Sequence, residues 1–403
     1  MRTLLISILL LAPLRASAQQ TPPVADRLQE LERRLEKLEG APAKTSLNAF
    51  NPAIGLALDQ VGRFADDKAN FEFRTAELNL EAPIDPFTKG WAIINAGASE
   101  VEVEEMALQT TALPWNLTVR GGRLFADFGR MGHFHDDALP VTDRPASINE
   151  YIGGESQADG IETSYLLPFG PYLAATLGMY NKIGGENDRE ANDPSRNLAK
   201  FTYLGRLATS FELGSDHTVQ LGAGTAYTPR RTVTEDLAAS GNAVAEVTKK
   251  NTWRTLSGVD LTYRYEPTSG GIYRGLLWGT EVLVNNERRF DDSTRLPTDR
   301  TRAFSGYSFV QAKFGRRWRG SVLFDLTENL DNPRRNAKTL TLTATWYATE
   351  FQRLRASYAR RTDTVPGSRR NDIVTLQWTA FIGRHVHGFR DGCPHPHGEI
   401  DET

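Results

Sequence analysis

The residues with the greatest chemical potential fall in two short stretches. One holds His133, His135, Asp136 and Asp137 and runs on to Asp143 and Arg144; the other holds Glu100, Glu102, Glu104 and Glu105. Imidazole and carboxylate together suit a borderline divalent cation such as zinc. Alternate residues of extended backbone point the same way, so His133, His135 and Asp137 are the candidate ligands. The same groups also serve as the polar lining of a wet passage, hydrogen-bonding a loop in place. That simpler use is favoured, because alternation along one loop does not make ligands converge in space. Neither a resident metal nor a cofactor is expected.

A second set is basic. Arg206, Arg254, Arg264, Arg353 and Arg355 each fall on the polar parity of an alternating segment. Guanidinium groups arrayed opposite an acidic loop create a field across the space between them, which orients dipolar solutes. A phosphate path would need those charges in one ladder at the narrowest point; general permeability needs less. His385, His387, His395 and His397 cluster with Cys393 in a stretch read as a polar tail rather than a metal trap. The chain has no GxSxG elbow, HExxH pair or phosphate-cradling glycine loop, and no catalysis is expected.

Side-chain alternation supplies the elements that would hold these groups. Phe201, Tyr203, Leu207, Phe211 and Leu213 share one parity, while Lys200, Thr202, Arg206, Ser210 and Glu212 share the other. The split recurs in 253–266, 339–347 and 353–361. A strand with lipid on one face and water on the other has this pattern. Slips of parity at Glu104–Glu105 and at Gly121–Gly122 predict β-bulges, since one extra residue flips every later side chain. Such segments number about sixteen, an even count with both ends on one side. They include 117–129, 198–213, 217–229 and 250–267, and the last is near 371–383. Short connections such as 114–116 and 214–216 alternate with mostly long ones such as 130–157, 181–197 and 230–249. The expected fold is all-β, a transmembrane antiparallel β-barrel. Sixteen strands enclose more space than side chains fill, and the longest insert, 130–157, is expected to fold inward and narrow the lumen.

Residues 1–18 have the form of a secretory signal: Arg2, an apolar run too short to span a bilayer, and Ala16-Ser17-Ala18 as a cleavage site. Its removal takes Arg2 and Arg15 and moves the formal charge from -3 to about -5, a balance that names no partner. In 19–45, Val24, Leu28, Leu31, Leu35 and Leu38 keep a heptad seam, which predicts a short periplasmic coiled-coil helix accompanying assembly. The barrel is assigned to 46–389 and a polar C-terminal tail to 390–403. The lone cysteine excludes an intrachain disulfide.

With the coiled coil, an FNPAI opening (Phe50 to Ile54), VEVEE (Val101 to Glu105) and the Gly121–Arg123 turn of phrase GGR, the chain resembles a Gram-negative outer-membrane porin, close in plan to the phosphate-selective-porin-like group. The resemblance implies a homotrimer of sixteen-stranded barrels in outer-membrane lipid and lipopolysaccharide. It implies passage of small hydrophilic solutes or ions past a constriction made by the third external loop, and no nucleic-acid partner. One departure is the ending, where RDGCPHPHGEIDET follows Phe389 although such chains usually stop on an aromatic residue. Two other uses of such a barrel are a substrate- or metal-specific uptake receptor and a structural or adhesive barrel. The receptor needs a large N-terminal plug, for which the stretch before the first strand is too short. The structural barrel needs bulky apolar side chains on the inward parity.

Overall fold

The computed structural model describes residues 52–65, 68–168, 170, 172–184, 196–238, 244–268, 273–288, 300–330, 332–364 and 371–383. The signal, the heptad segment and the tail after 383 lie outside the described residues. Sixteen strands follow one another: β1 (Ala53–Ala65), β2 (Lys68–Asp85), β3 (Thr88–Ala96), β4 (Val101–Thr110), β5 (Leu117–Phe125), β6 (Gln157–Leu166), β7 (Tyr172–Tyr180), β8 (Thr202–Glu212), β9 (His217–Ala238), β10 (Val244–Tyr265), β11 (Arg274–Glu287), β12 (Thr301–Phe314), β13 (Trp318–Glu328), β14 (Asn336–Tyr347), β15 (Gln352–Asp363) and β16 (Asn371–Gly383). Each pairs antiparallel with its neighbours in sequence, and β16 returns to β1, with Gly55 opposite Gly383 and Ala65 opposite Ile373. Closure leaves no free edge. Among the described residues no helix is long and apolar enough to cross a membrane.

The two parities sort as the alternation requires. On β14, Leu340, Leu342 and Ala344 are exposed while Thr341, Thr343 and Thr345 are buried; on β15, Leu354 and Tyr358 face out while Arg353, Arg355 and Ser357 face in. The parity slip at Glu104–Glu105 is a bulge: Ile93 pairs with Glu105 and Ile94 with Val103, so Glu104 is the extra residue and both carboxylates are buried. A second bulge makes Arg74 the extra residue between Phe73, opposite Gln60, and Thr75, opposite Asp59. Bulges re-aim side chains, and both of these aim a charged one into the barrel.

Gly121–Gly122 is not a bulge, because β5 pairs with β6 unbroken from Leu117 to Phe125. Gly122 instead takes φ 129°, and a Cβ there would stand 2.4 Å from Met106 O and 2.9 Å from Ala107 Cα. Close approach of β4, not an extra residue, explains the pair. Four strand ends depart furthest from expectation. Residues 198–200 form a 3₁₀ turn whose Ala199 amide donates to Asn197 Oδ1 (3.1 Å), so β8 starts at Thr202. The strands β9 and β10 continue to Ala238 and from Val244, where a long loop was expected. Finally, β5 stops at Phe125, because 126–129 already belongs to the inward connection.

That connection, 126–156, carries 3₁₀ turns at Met131–His133 and Asp136–Ala138 and one helical turn, α1 (Ala146–Tyr151). Its Phe128, Met131, Leu139, Ile148 and Ile152 join inward-facing Leu204, Leu256, Leu283, Tyr307, Phe309 and Leu323 in one buried apolar cluster. The inward face is therefore polar along β14–β16, whereas along β8–β13 apolar residues stand among the polar ones where the loop packs.

We expect Gly122→Ala to cost about 1–3 kcal/mol in chemical denaturation of the folded barrel. Gly121→Ala, whose added methyl meets nothing nearer than 3.8 Å, is expected to cost much less.

Candidate functional site

The connection crosses the bore and is fastened on several sides. At its start, the Asp127 amide donates to Glu162 Oε2 (3.0 Å), while Glu281 Oε2 on β11 accepts from the amides of Arg130 and Met131 (3.2 Å each) and from Tyr307 Oη (3.0 Å). Gly129, at φ 70°, is required there, since a Cβ would coincide with Glu281 Oε1. In the middle, Arg355 Nη1 donates to Leu139 O (2.7 Å) and Val141 O (2.5 Å), its Nη2 to Asp137 O (3.2 Å), and Arg353 also reaches Asp137 O. Gln311 and Ser321 share Pro140 O, and Thr142 Oγ1 meets Ser357 Oγ at 2.8 Å. Near its end, the Ser147 amide at the start of α1 donates to Asp325 Oδ1 (3.0 Å), Tyr151 Oη donates to Glu328 O (2.9 Å), and Arg254 donates to Tyr151 O.

Between this loop and β2–β4 remains a cavity of about 490 Å³. Its lining includes Glu72, Glu77, Glu100, Glu102, Glu104, Asp136, Asp137, Asp143 and Glu155, against Arg63, Arg74 and Arg144. The three arginines are engaged: Arg63 and Arg74 hold Asp143 Oδ1 (2.6 and 2.9 Å), and Arg144 bridges Asp136 (3.1 Å) and Glu155 (3.0 Å) while donating to Met131 O and Phe134 O. Burial alone would raise the Asp143 carboxyl, but Arg63 and Arg74 hold it below the usual carboxylate range. Burial, with the Glu104 charge beside it, pushes the Glu155 carboxyl up.

The two loop histidines separate. A 3₁₀ turn ends at His133, so the stretch is not extended and the alternation expected of it fails. His133 turns toward Asp127 (3.6 Å) in a cluster with Arg206, and burial pushes its imidazole down to about 4. His135 turns the other way, where its Nδ1 lies 2.8 Å from Glu104 Oε2, 3.4 Å from Glu77 Oε2 and 3.8 Å from Glu155 Oε1, and its Nε2 lies 3.6 Å from Glu105 Oε1. Burial opposes its charge, yet these carboxylates hold the imidazole well above its ordinary pKa. The structure thus brings His135, Glu104 and Glu105 together, leaves Glu100 and Glu102 exposed at the cavity rim, and sends His133 elsewhere.

Of the basic set, Arg206, Arg254, Arg353 and Arg355 are buried on the inward face, and Arg264 is half-buried on the same parity toward the other end of β10. Arg206 pairs with Asp127 and Asp260 (3.2 and 2.7 Å). Arg206, Arg254, Arg353 and Arg355 fasten the loop and its supports, and none of the five lines the cavity. Glu77, Glu155, Arg63, Arg74 and Glu281 were not singled out from the sequence. Inward parity with Thr75 and Asn79 marks Glu77; nothing in the sequence marks Glu155.

No protein-family model matches the chain. An uncharacterized protein of Aquifex aeolicus (strain VF5) is 27% identical over 418 residues, spanning 91% of this chain and 86% of that one. Among solved structures, the chain is similar to OmpT, an outer membrane protein of Vibrio cholerae. The loop L8 deletion mutant gives TM-score 0.56 at 10% identity over 83% of this chain and 100% of that one. The trimer form gives 0.53 at 11% over 82% and 99%. It is also similar to OprB of Pseudomonas putida, with TM-score 0.54 at 12% identity over 85% and 97%. The likeness is one of fold: a closed sixteen-stranded barrel of the kind found in outer-membrane porins and channels.

Arg355→Met would orphan loop carbonyls at about 1–3 kcal/mol each. We expect trypsin then to cut within 126–156, after Arg130, while the barrel stays folded. Arg360→Met, which removes an exposed pair with Asp372 and a cation–π contact with Tyr358 on the outer wall, is expected to leave the loop resistant.

Proposed function

We propose that this chain is an outer-membrane porin, a passive diffusion channel for small hydrophilic solutes or ions whose constriction is the connection 126–156. The observation that carries this reading is the combination of a closed barrel with a fastened, bore-crossing segment and an acidic aqueous cavity beside it. A segment tied down by so many charged hydrogen bonds sets a fixed aperture and does not swing as a lid.

Membrane insertion follows from the outer surface. Val282, Val310, Val322, Phe324, Leu340 and Leu342 are exposed, and an apolar surface that wide is not left to water. Trp318 and Trp346, 6.4 Å apart, lie with Trp378 on the outer wall near the short-turn end, as amphipathic rings do at a membrane interface. Trp91 takes no part in such a girdle, because it is buried inside and donates to Glu105 Oε2 (2.9 Å). The short turns then face the periplasm, and lipid and lipopolysaccharide surround the wall. A homotrimer fits the heptad seam and the trimer form of OmpT.

Passage favours cations. A phosphate path would need free guanidinium groups along the aperture, whereas Arg206, Arg254, Arg353 and Arg355 are committed to the loop and to carboxylates. The apolar cluster on the inward face favours one other reading, a closed structural barrel. Conductance separates the two.

In planar bilayers with a steep KCl gradient, we expect a cation-side reversal potential that moves toward the anion side in the Asp136→Asn, Asp137→Asn double variant. An unchanged potential would remove those carboxylates from the ion path, and absence of current from the folded wild type would support the closed barrel. Leu342→Arg, on the outward parity at mid-strand, is expected to cost about 2–4 kcal/mol of barrel stability in lipid. A near-neutral result would mean that this wall does not face hydrocarbon.

A further inference from the structure

We propose that His135, Glu77 and Glu104 bind one borderline divalent transition-metal ion of the zinc class, tying the bore-crossing loop to β2 and β4. The three offer ligand atoms that all lie within 4.8 Å of one another. Bonds of about 2.0–2.2 Å to a shared ion set tetrahedral ligand atoms about 3.3 Å apart. The distances from His135 Nδ1 to Glu104 Oε2 (2.8 Å) and Glu77 Oε2 (3.4 Å) bracket that spacing. Glu155 Oε1, at 3.8 Å from the same nitrogen, stands where a fourth ligand or a bound water would be needed.

The surroundings are arranged as a support for such a site. Glu77 Oε1 accepts from Asn79 Nδ2 (2.8 Å) and Glu104 Oε1 accepts from Asn95 Nδ2 (2.6 Å). In each carboxylate one oxygen is held by an amide and the other is turned to the histidine. Glu105 is likewise held at Oε2 by Trp91 and turns Oε1 toward His135 Nε2. A carboxylate on the far nitrogen of a metal-binding histidine fixes its tautomer and leaves the near nitrogen as the ligand. His135 is 4% exposed, and its two ring nitrogens face carboxylate oxygens alone, Glu104 Oε2 and Glu77 Oε2 at Nδ1 and Glu105 Oε1 at Nε2. Four carboxylates thus converge on one imidazole whose protonation supplies a single positive charge; a dication supplies two and makes directional bonds to three of the groups. The Glu104 bulge aims a second consecutive carboxylate inward, and the 490 Å³ cavity gives an ion a way in. His133 is excluded from the site, as it faces Asp127.

The test is calorimetric titration of ZnCl₂ into the EDTA-treated, detergent-folded full chain. A parallel titration uses the same chain with His385, His387, His395 and His397 each changed to Gln, which separates this site from the tail. One zinc per chain is expected in both. The binding is expected to fall beyond detection in His135→Gln and Glu104→Gln, and by about tenfold or more in Asn95→Ala, which touches no ligand atom but frees the Glu104 carboxylate and the Thr75 hydroxyl. His135→Cys is expected to restore binding with cadmium preferred over zinc, since thiolate is the softer ligand. A purely structural imidazolium predicts no such change of ion. Heat-modifiable gel mobility reports the fold of each variant; if His135→Gln fails to fold, Glu104→Gln and His135→Cys carry the test. Zinc binding that disappears with the tail histidines, or that survives unchanged in folded Glu104→Gln, would overturn the proposal. Binding is read without conduction, so its failure and the failure of the porin reading are distinguishable.

Discussion

A length of backbone drawn inside a barrel carries carbonyl oxygens away from bulk water, and each must find a donor or cost free energy. Arg353 and Arg355 on β15 meet that requirement for Asp137, Leu139 and Val141 at once, and Arg254 does so for Tyr151. The fork of a guanidinium suits this, because one rigid group serves several acceptors without deprotonating. The path of the loop, the packing of Met131, Ile148 and Ile152 on the facing wall, and the position of the remaining cavity all depend on these bonds.

A consequence is a division of charge. The wall that fastens the loop is basic, but its cations are turned into backbone acceptors and hidden. The opposite side, β2 to β4, keeps its carboxylates toward the open space. Glu77, Glu104 and Glu105 each take a neutral donor, from Asn79, Asn95 and Trp91, and converge on His135. The field across the aperture is therefore set by carboxylates in excess of the cations beside them on one side and by a covered layer on the other. This differs from two facing sets of free charges, and it is the ground on which the proposed channel is expected to prefer cations to phosphate.

Much of the barrel was legible in the sequence because a strand between two solvents must alternate, and Leu340 to Trp346 or Leu354 to Tyr358 alternate without exception. The bulge at Glu104 was legible for the same reason, as two adjacent carboxylates cannot otherwise share a face. The doublet Gly121–Gly122 misled, since glycine has no side chain to show parity and served close approach to β4 instead. The extended β9–β10 hairpin was hidden by the loop-like composition of 230–249. Inside the loop, parity has no meaning once 3₁₀ turns intervene, so the shared direction expected of His133 and His135 failed. The ligand-like set came instead from residues far apart in sequence, Glu77 on β2, Glu104 on β4 and His135 on the loop, which the β2–β4 pairing and the inward fold of the loop bring together. The inward leucines Leu204, Leu256, Leu283 and Leu323 had a visible sign, an apolar residue on the polar parity, that points to an internal partner.

The central claim is that the bore-crossing segment is the narrowest part of a conducting path. Single-channel conductance decides it most directly, comparing the wild-type barrel with one in which 131–153 is replaced by a short glycine-serine turn. Discrete openings in the wild type and severalfold larger steps in the replacement are expected. Equal step sizes would place the limiting aperture elsewhere, and a silent wild type that conducts only after the replacement would make the segment a plug.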